Sequence, residues 1–166
     1  MIIRTEKQSD SAAIFELTRA AFENHPYGDH TEQFIVNALR GANALTISLV
    51  AEVGGKVVGH IAFSPVTVSD GNPHWYGVGP VSVLPECQKQ GIGKGLVREG
   101  LSRLEALGAQ GCVLVGPPQY YVRFGFRNIP ALVLEGVPQE FFLALPFGQI
   151  SAQGSVVFHE AFSAKG

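Results

Sequence analysis

The chain has 166 residues, of which 46% are apolar and 16% charged, and its formal net charge is −2. That composition excludes a disordered or strongly charged polypeptide and leads us to expect one domain, residues 1–166, burying roughly 70% of its unfolded surface. Lys and Arg never occur side by side, so there is no electrostatic reason to expect nucleic acid or an anionic membrane as a partner.

No stretch approaches the roughly 18 apolar residues that span a bilayer. Residues 1–6 lack the apolar core of a signal peptide. The expectation is a cytoplasmic protein. Cys87 and Cys112 stand alone, without a CxxC pair or zinc spacing, so no metal is expected. A disulfide between them is allowed by count and supported by nothing else.

Residues 2–6 read as a first strand. Ile14, Leu17, Thr18, Ala21 and Phe22 follow the i, i+3, i+4, i+7, i+8 spacing of an amphipathic helix, with Ser9 or Asp10 as its cap. His25-Pro26-Tyr27-Gly28-Asp29 is a loop by its Pro and Gly content. A second helix spans 31–40 and stops at Gly41. The period then changes. Segments 47–53 and 56–63 flank Gly54-Gly55, the signature of a two-residue hairpin. Asp70-Gly71-Asn72 is another turn, and 75–84 a third long strand that ends at Pro85.

From Gly91 the helical period returns. Leu96, Val97, Leu101, Leu104 and Leu107 line one face; Arg98, Glu99, Arg103 and Glu105 line the other. Residues 112–115 form a short apolar strand. Pro117-Pro118 opens a short helix over 119–124, ended by Gly125. The pattern weakens past Ile129, and 155–159 reads as a closing strand. The order β–α–α–β–β–β–α–β–α–β predicts an α/β (α+β) protein, with a mixed, mostly antiparallel sheet and helices on both faces.

Chemistry is concentrated in the stretch Val81-Ser82-Val83-Leu84-Pro85-Glu86-Cys87-Gln88-Lys89-Gln90-Gly91-Ile92-Gly93-Lys94-Gly95. It joins a strand to a helix through a loop dense in glycine. The first N–H groups of a helix have no intrahelical partner and carry partial positive charge. Glycines let a ligand come close, so the loop has the makings of a phosphate-sized anion site. It is not a P-loop: Gln88 stands where the first Gly is required, and Gly95 follows Lys94 in place of Ser or Thr. The dinucleotide fingerprint also fails, because Leu96 occupies its last Gly position.

Gln88-Lys89-Gln90-Gly91-Ile92-Gly93 instead resembles the Gln/Arg-x-x-Gly-x-Gly/Ala acyl-CoA signature of the GNAT superfamily of N-acetyltransferases. Tyr121-Val122-Arg123-Phe124-Gly125-Phe126 resembles that family's Tyr-x-x-Phe/Leu-Gly-Phe motif and selects Tyr121 over Tyr120. Ser48-Leu49-Val50-Ala51-Glu52, the run from Val58 to Val66 and Gly79-Pro80-Val81-Ser82-Val83 look like its YhbS-like branch. The resemblance covers nearly the whole chain and is weakest after Ile129. One departure is Gly116-Pro117-Pro118, where that pattern has Gly-Asp-Pro.

The resemblance implies an acetyl-CoA-dependent N-acetyltransferase acting by direct transfer to an amine, with a non-catalytic acyl-CoA-binding or regulatory module as the alternative. It implies a GNAT-like sheet splayed at the CoA site. Val81, Ser82, Val83, Gln88, Lys89, Gln90, Gly91, Ile92, Gly93, Lys94, Tyr121 and Phe124 would hold the cofactor. The Val83 N–H would stabilise the oxyanion and Tyr121 would protonate the leaving thiolate. Glu32 and His30 are the substrate-side candidates; Asp29, Glu52 and His60 are further possible bases. Glu32 also reads as an ordinary first-turn acid, and His60 as a satisfied sheet histidine. The acceptor would be read by residues 22–32 and 141–154, where Glu140-Phe141-Phe142-Leu143 lines a pocket, a dimer contact or simply the core. Either a monomer or a homodimer is compatible with the sequence.

Overall fold

The computed structural model describes residues 1–26, 29–149 and 151–166. Of the loop predicted at His25–Asp29, Tyr27 and Gly28 lie outside the described residues. A first strand, β1 (Ile2–Thr5), leads into helix α1 (Ser11–Phe22), and α2 (Glu32–Gly41) follows. Asp10 stands just before α1, but its carboxylate turns back to accept from the Lys7 N–H at 2.6 Å and from Arg4 at 2.7 Å. Arg4 also grips Glu52 at 3.0 Å, so one guanidinium ties the first strand to its neighbour and to the helix start.

Three antiparallel strands come next: β2 (Ile47–Val53), β3 (Lys56–Val68) and β4 (Trp75–Val83). Gly54 and Gly55 have φ of 57° and 80°, as the predicted tight turn requires. β3 runs past the expected end at Phe63 despite Pro65. On that edge β2 has stopped at Phe63 and the last strand does not begin until Val66, so the missing Pro65 N–H costs no ladder bond.

Helix α3 (Ile92–Ala106) crosses to the parallel strand β5 (Gly111–Val115). Ile92, Leu96, Val97 and Leu104 are buried against β2, β3 and β4, each worth roughly 1.5–3 kcal/mol. Leu107, predicted on that face, is 60% exposed because the helix has already ended. Gly100 lets the helix touch the sheet: a Cβ there would lie 2.3 Å from the Phe63 ring.

The short helix α4 (Pro118–Tyr121) continues as a 3-10 turn, Val122–Phe124, closed by Gly125 at φ 96°. Four strands complete the chain: β6 (Arg127–Asn128), β7 (Leu132–Val133), β8 (Phe142–Pro146) and β9 (Gly154–Phe158). The sheet order is β1-β2-β3-β4-β5-β8-β6, with β9 on the far end of β3 and β7 beside β9. α3 covers one face; α1 and α2 cover the other, with Ile14 and Val36 on Val50. The predicted mixed sheet with helices on both faces is what the chain forms.

β6, β7 and β8 were not expected. Two of them are only two residues long. β8 is buried on both sides, Phe142 and Ala144 toward Trp75 and Val113, Leu143 toward Cys112 and Phe126. A strand apolar on both faces has no alternation to betray it. Cys87 and Cys112 are free thiols.

Candidate active site

β4 and β5 pair only from Trp75 to Gly77, against Gly111 to Val113. Beyond Gly77, Gly79 and Pro80 together oppose the single residue Ala62 of β3. This bulge bends β4 away from β5, and Pro80 has no N–H to offer a neighbour. The sheet therefore splits.

The register with β3 determines which groups face the split. Leu84 N–H donates to Val58 O at 2.9 Å, and Ser82 pairs with His60. Hydrogen-bonded and non-hydrogen-bonded positions alternate along an antiparallel pair. Val81 and Val83 thus turn their amides and carbonyls away from β3, toward the gap. Gln88 Nε2 donates to Val83 O at 3.1 Å and anchors the following loop to the strand end.

That loop delivers the start of α3. Gly91 caps it at φ 85°, and Lys89 also lies in the left-handed region at φ 63°. The first turn holds no acid, so its free N–H groups are uncompensated. A cleft of about 570 Å³ opens here, lined by Val81, Val83, Cys87, Gln88, Lys89, Gly91, Ile92, Gly93, Lys94 and the two tyrosines. Tyr120 was not singled out by the motif, yet its hydroxyl is 3.5 Å from where a Gly93 Cβ would sit.

A second cleft, of about 670 Å³, lies across the split. Val81 and Tyr121 belong to both. Glu32, at the start of α2, lines this second cleft, and its Oε1 is buried without a hydrogen-bond partner among the described residues. Burial pushes the Tyr121 hydroxyl up to about 12, with Tyr120 adding to the rise. Tyr121 therefore stays protonated at any ordinary pH.

Other candidate residues are elsewhere. Ser82 is buried, and Gln90 is exposed outside the cleft wall. Phe124 packs on Tyr120 with ring centroids 5.6 Å apart and lies under Arg98 at 5.6 Å. His30 is exposed, with Nε2 3.1 Å from His25 O, and lines neither cleft. Asp29 is likewise exposed. Glu52 is held by Arg4. His60 is fully buried, with Nε2 2.8 Å from Ser48 Oγ.

The second cleft is walled by Leu134, Val137, Phe158 and Phe162 together with Phe22 and Ile35. The segment expected there, 141–154, is absent from it among the described residues; Ile150 lies outside them. Phe142 and Leu143 are core instead. Long-range folding of β9 and of the segment after β7 builds this wall, which no local pattern announces. Among the described residues no cluster of His, Cys, Asp or Glu is arranged to hold a metal, and no helix is long and apolar enough to cross a membrane.

The model of the Acetyltransferase (GNAT) family matches residues 11–126. The chain belongs to the GNAT acetyltransferase family. A relative in Escherichia coli K12, named as an uncharacterized N-acetyltransferase, YhbS, is 39% identical over 128 residues, 76% of this chain and 74% of its own. The crystal structure of YhbS from Escherichia coli in complex with CoA superposes at a TM-score of 0.89, with 33% identity, covering 99% of this chain and 93% of that one. A GNAT acetyltransferase from Brucella melitensis in complex with acetyl-CoA gives 0.87, with 49% identity and 97% of both chains covered. The split between β4 and β5 leaves one strand edge of this GNAT chain unpaired beside the start of α3.

Proposed function

We propose that this protein is an acetyl-CoA-dependent N-acetyltransferase that passes the acetyl group directly to an amine. The observation that carries the reading is the meeting of two clefts at Val81 and Tyr121. One has a strand edge, two lysines and free helix N–H groups; the other has a carboxylate oxygen without a partner among the described residues. Such a pair of chambers suits a donor and an acceptor held in line.

The residues present fit acetyl-CoA, whose contribution is an activated thioester. The open edges of Val81 and Val83 would take the extended pantetheine arm as an added strand. The N–H groups from Lys89 to Lys94 would hold the pyrophosphate, with the Lys89 and Lys94 ammonium groups nearby. Gln88 acts on the loop by holding Val83 O.

The Val83 N–H would stabilise the oxyanion of the tetrahedral intermediate. The acceptor arrives as an ammonium and loses one proton to water. Its nitrogen forms the new bond to the carbonyl carbon, the C–S bond breaks, and the nitrogen loses a second proton. Tyr121 gives its proton to the departing sulfur and is later reprotonated. The net products are the amide, CoA thiol and one proton.

The departure at Gly116-Pro117-Pro118 leaves the proton donor in place. The Tyr120 and Tyr121 N–H groups both donate to Pro117 O, so the prolines start the helix that carries Tyr121. The test is release of free CoA thiol from acetyl-CoA across a panel of amines, with acetyl-CoA binding measured by calorimetry. Binding without amine-stimulated release would instead indicate the non-catalytic acyl-CoA-binding module.

A further inference from the structure

The chemistry of the acceptor is written in the second cleft. Its walls are aromatic and aliphatic: Phe22, Ile35, Leu134, Val137, Phe158 and Phe162. Among the described lining residues the carboxylates are Glu32 and Glu135, and there is no Lys or Arg. Glu135 is exposed, whereas Glu32 is partly buried.

Glu32 is the decisive group. Its position in the first turn of α2 satisfies the helix dipole, but that leaves Oε1 without a donor. A buried carboxylate oxygen is costly to leave unpaired, and none of the described residues supplies its partner. The cleft that contains it is the one that reaches Tyr121. A donor arriving with a ligand would satisfy it.

We infer that the acceptor is a small primary amine on an apolar aromatic or alkyl body, carrying no anionic group, with its ammonium drawn in by Glu32. This rests on the acetyltransferase reading above. An α-carboxylate or phosphate on the acceptor would enter a cleft whose described lining has two carboxylates and neither Lys nor Arg, with His25 its one imidazole, so amino acids and nucleotides are disfavoured. A polyhydroxylated amine would bury hydroxyls against Phe22, Leu134, Phe158 and Phe162, side chains that offer no hydrogen bond. The apolar body instead gains by leaving water, packed on Phe158 and Phe162, whose rings meet edge-to-face at 5.1 Å.

The experiment compares phenethylamine, phenylalanine, spermidine and kanamycin. Each is assayed for CoA release and, separately, for calorimetric binding to the CoA-loaded protein. Phenethylamine is expected to bind most tightly and to give the highest kcat/KM. Phenylalanine, which differs only by the carboxylate, is expected to be weaker by about 100-fold. Glu32→Gln is expected to weaken phenethylamine binding by about 10-fold or more, with acetyl-CoA affinity unchanged as the check that the variant is folded.

Tighter binding of phenylalanine, spermidine or kanamycin overturns the inference, as does a Glu32→Gln variant that binds phenethylamine like the parent. So does a protein that binds none of the four. Glu32-dependent phenethylamine binding without turnover upholds the site and overturns the transferase reading. Turnover of another amine class does the reverse.

Discussion

A Cβ on Gly116 would lie 2.6 Å from the ring of Tyr121, too close for two unbonded carbons. The bare backbone at 116 is thus the seat of the tyrosine that both clefts share. Gly116→Ala must push the ring aside while leaving the hydroxyl chemistry intact. The expected result is a fall in kcat on the order of 10-fold or more, with acetyl-CoA affinity changed little. Steady-state kinetics alongside calorimetry checks both.

Tyr121→Phe removes the proposed proton donor and keeps the packing. Its kcat should fall about 100-fold, with unchanged thermal stability. Because burial pushes the Tyr121 hydroxyl up to about 12, the parent should show no loss of kcat between about pH 8 and 10 from this group. An alkaline fall with a midpoint in that range, abolished in Tyr121→Phe, would contradict the placement.

Gln88→Ala frees the Val83 carbonyl from its 3.1 Å bond. A neutral hydrogen bond contributes about 0.5–1.5 kcal/mol, so KM for acetyl-CoA should rise roughly 2- to 10-fold while kcat holds. A large loss of kcat with constant KM would mean that Gln88 acts on the reacting atoms.

The buried His60 makes stability depend on pH. Its Nε2–H donates to Ser48 Oγ at 2.8 Å, and Ser48 in turn donates to Glu6, which Arg40 holds at 2.9 Å. Burial pushes the imidazolium down to about 4 from 6.5, the Glu6 charge opposing and the Arg40 charge assisting. Between those values the unfolded chain binds a proton that the folded chain refuses. Stability therefore rises with pH across this window and is lost as pH falls through it, by up to about 3 kcal/mol at the acid end. Glu6 adds to the acid loss: burial would raise it, but hydrogen bonds from Arg40 and Ser48 outweigh that and hold it below its ordinary value. Denaturant unfolding at several pH values should show the slope, and His60→Gln should flatten it above about pH 5.

Gly100→Ala tests the contact of α3 with the sheet. The added methyl meets Phe63 at 2.3 Å, and overpacking of this kind costs about 1–3 kcal/mol. A denaturation midpoint equal to the parent's would show that the helix slides without penalty.

Sequence alone determined the features that depend on neighbours along the chain. The glycine pair at 54 and 55, the periods of α1 and α3, the Gly91 turn and the Tyr121 motif are local, because turn dihedrals and helix faces are decided within a few residues. They were enough to place the donor side and to suggest its anion. Tertiary structure decided the rest. Which amides of β4 stay open depends on a bulge against β3 and a partnership with β5 that stops after three residues. The wall of the second cleft is drawn from α2, β9 and the segment after β7, far apart in the chain, and β8 hides its strand character by being buried on both faces. Pairing and burial between distant segments leave no periodic trace in either one, so the cleft at the start of α3 was legible in the sequence and the cleft across the split was not.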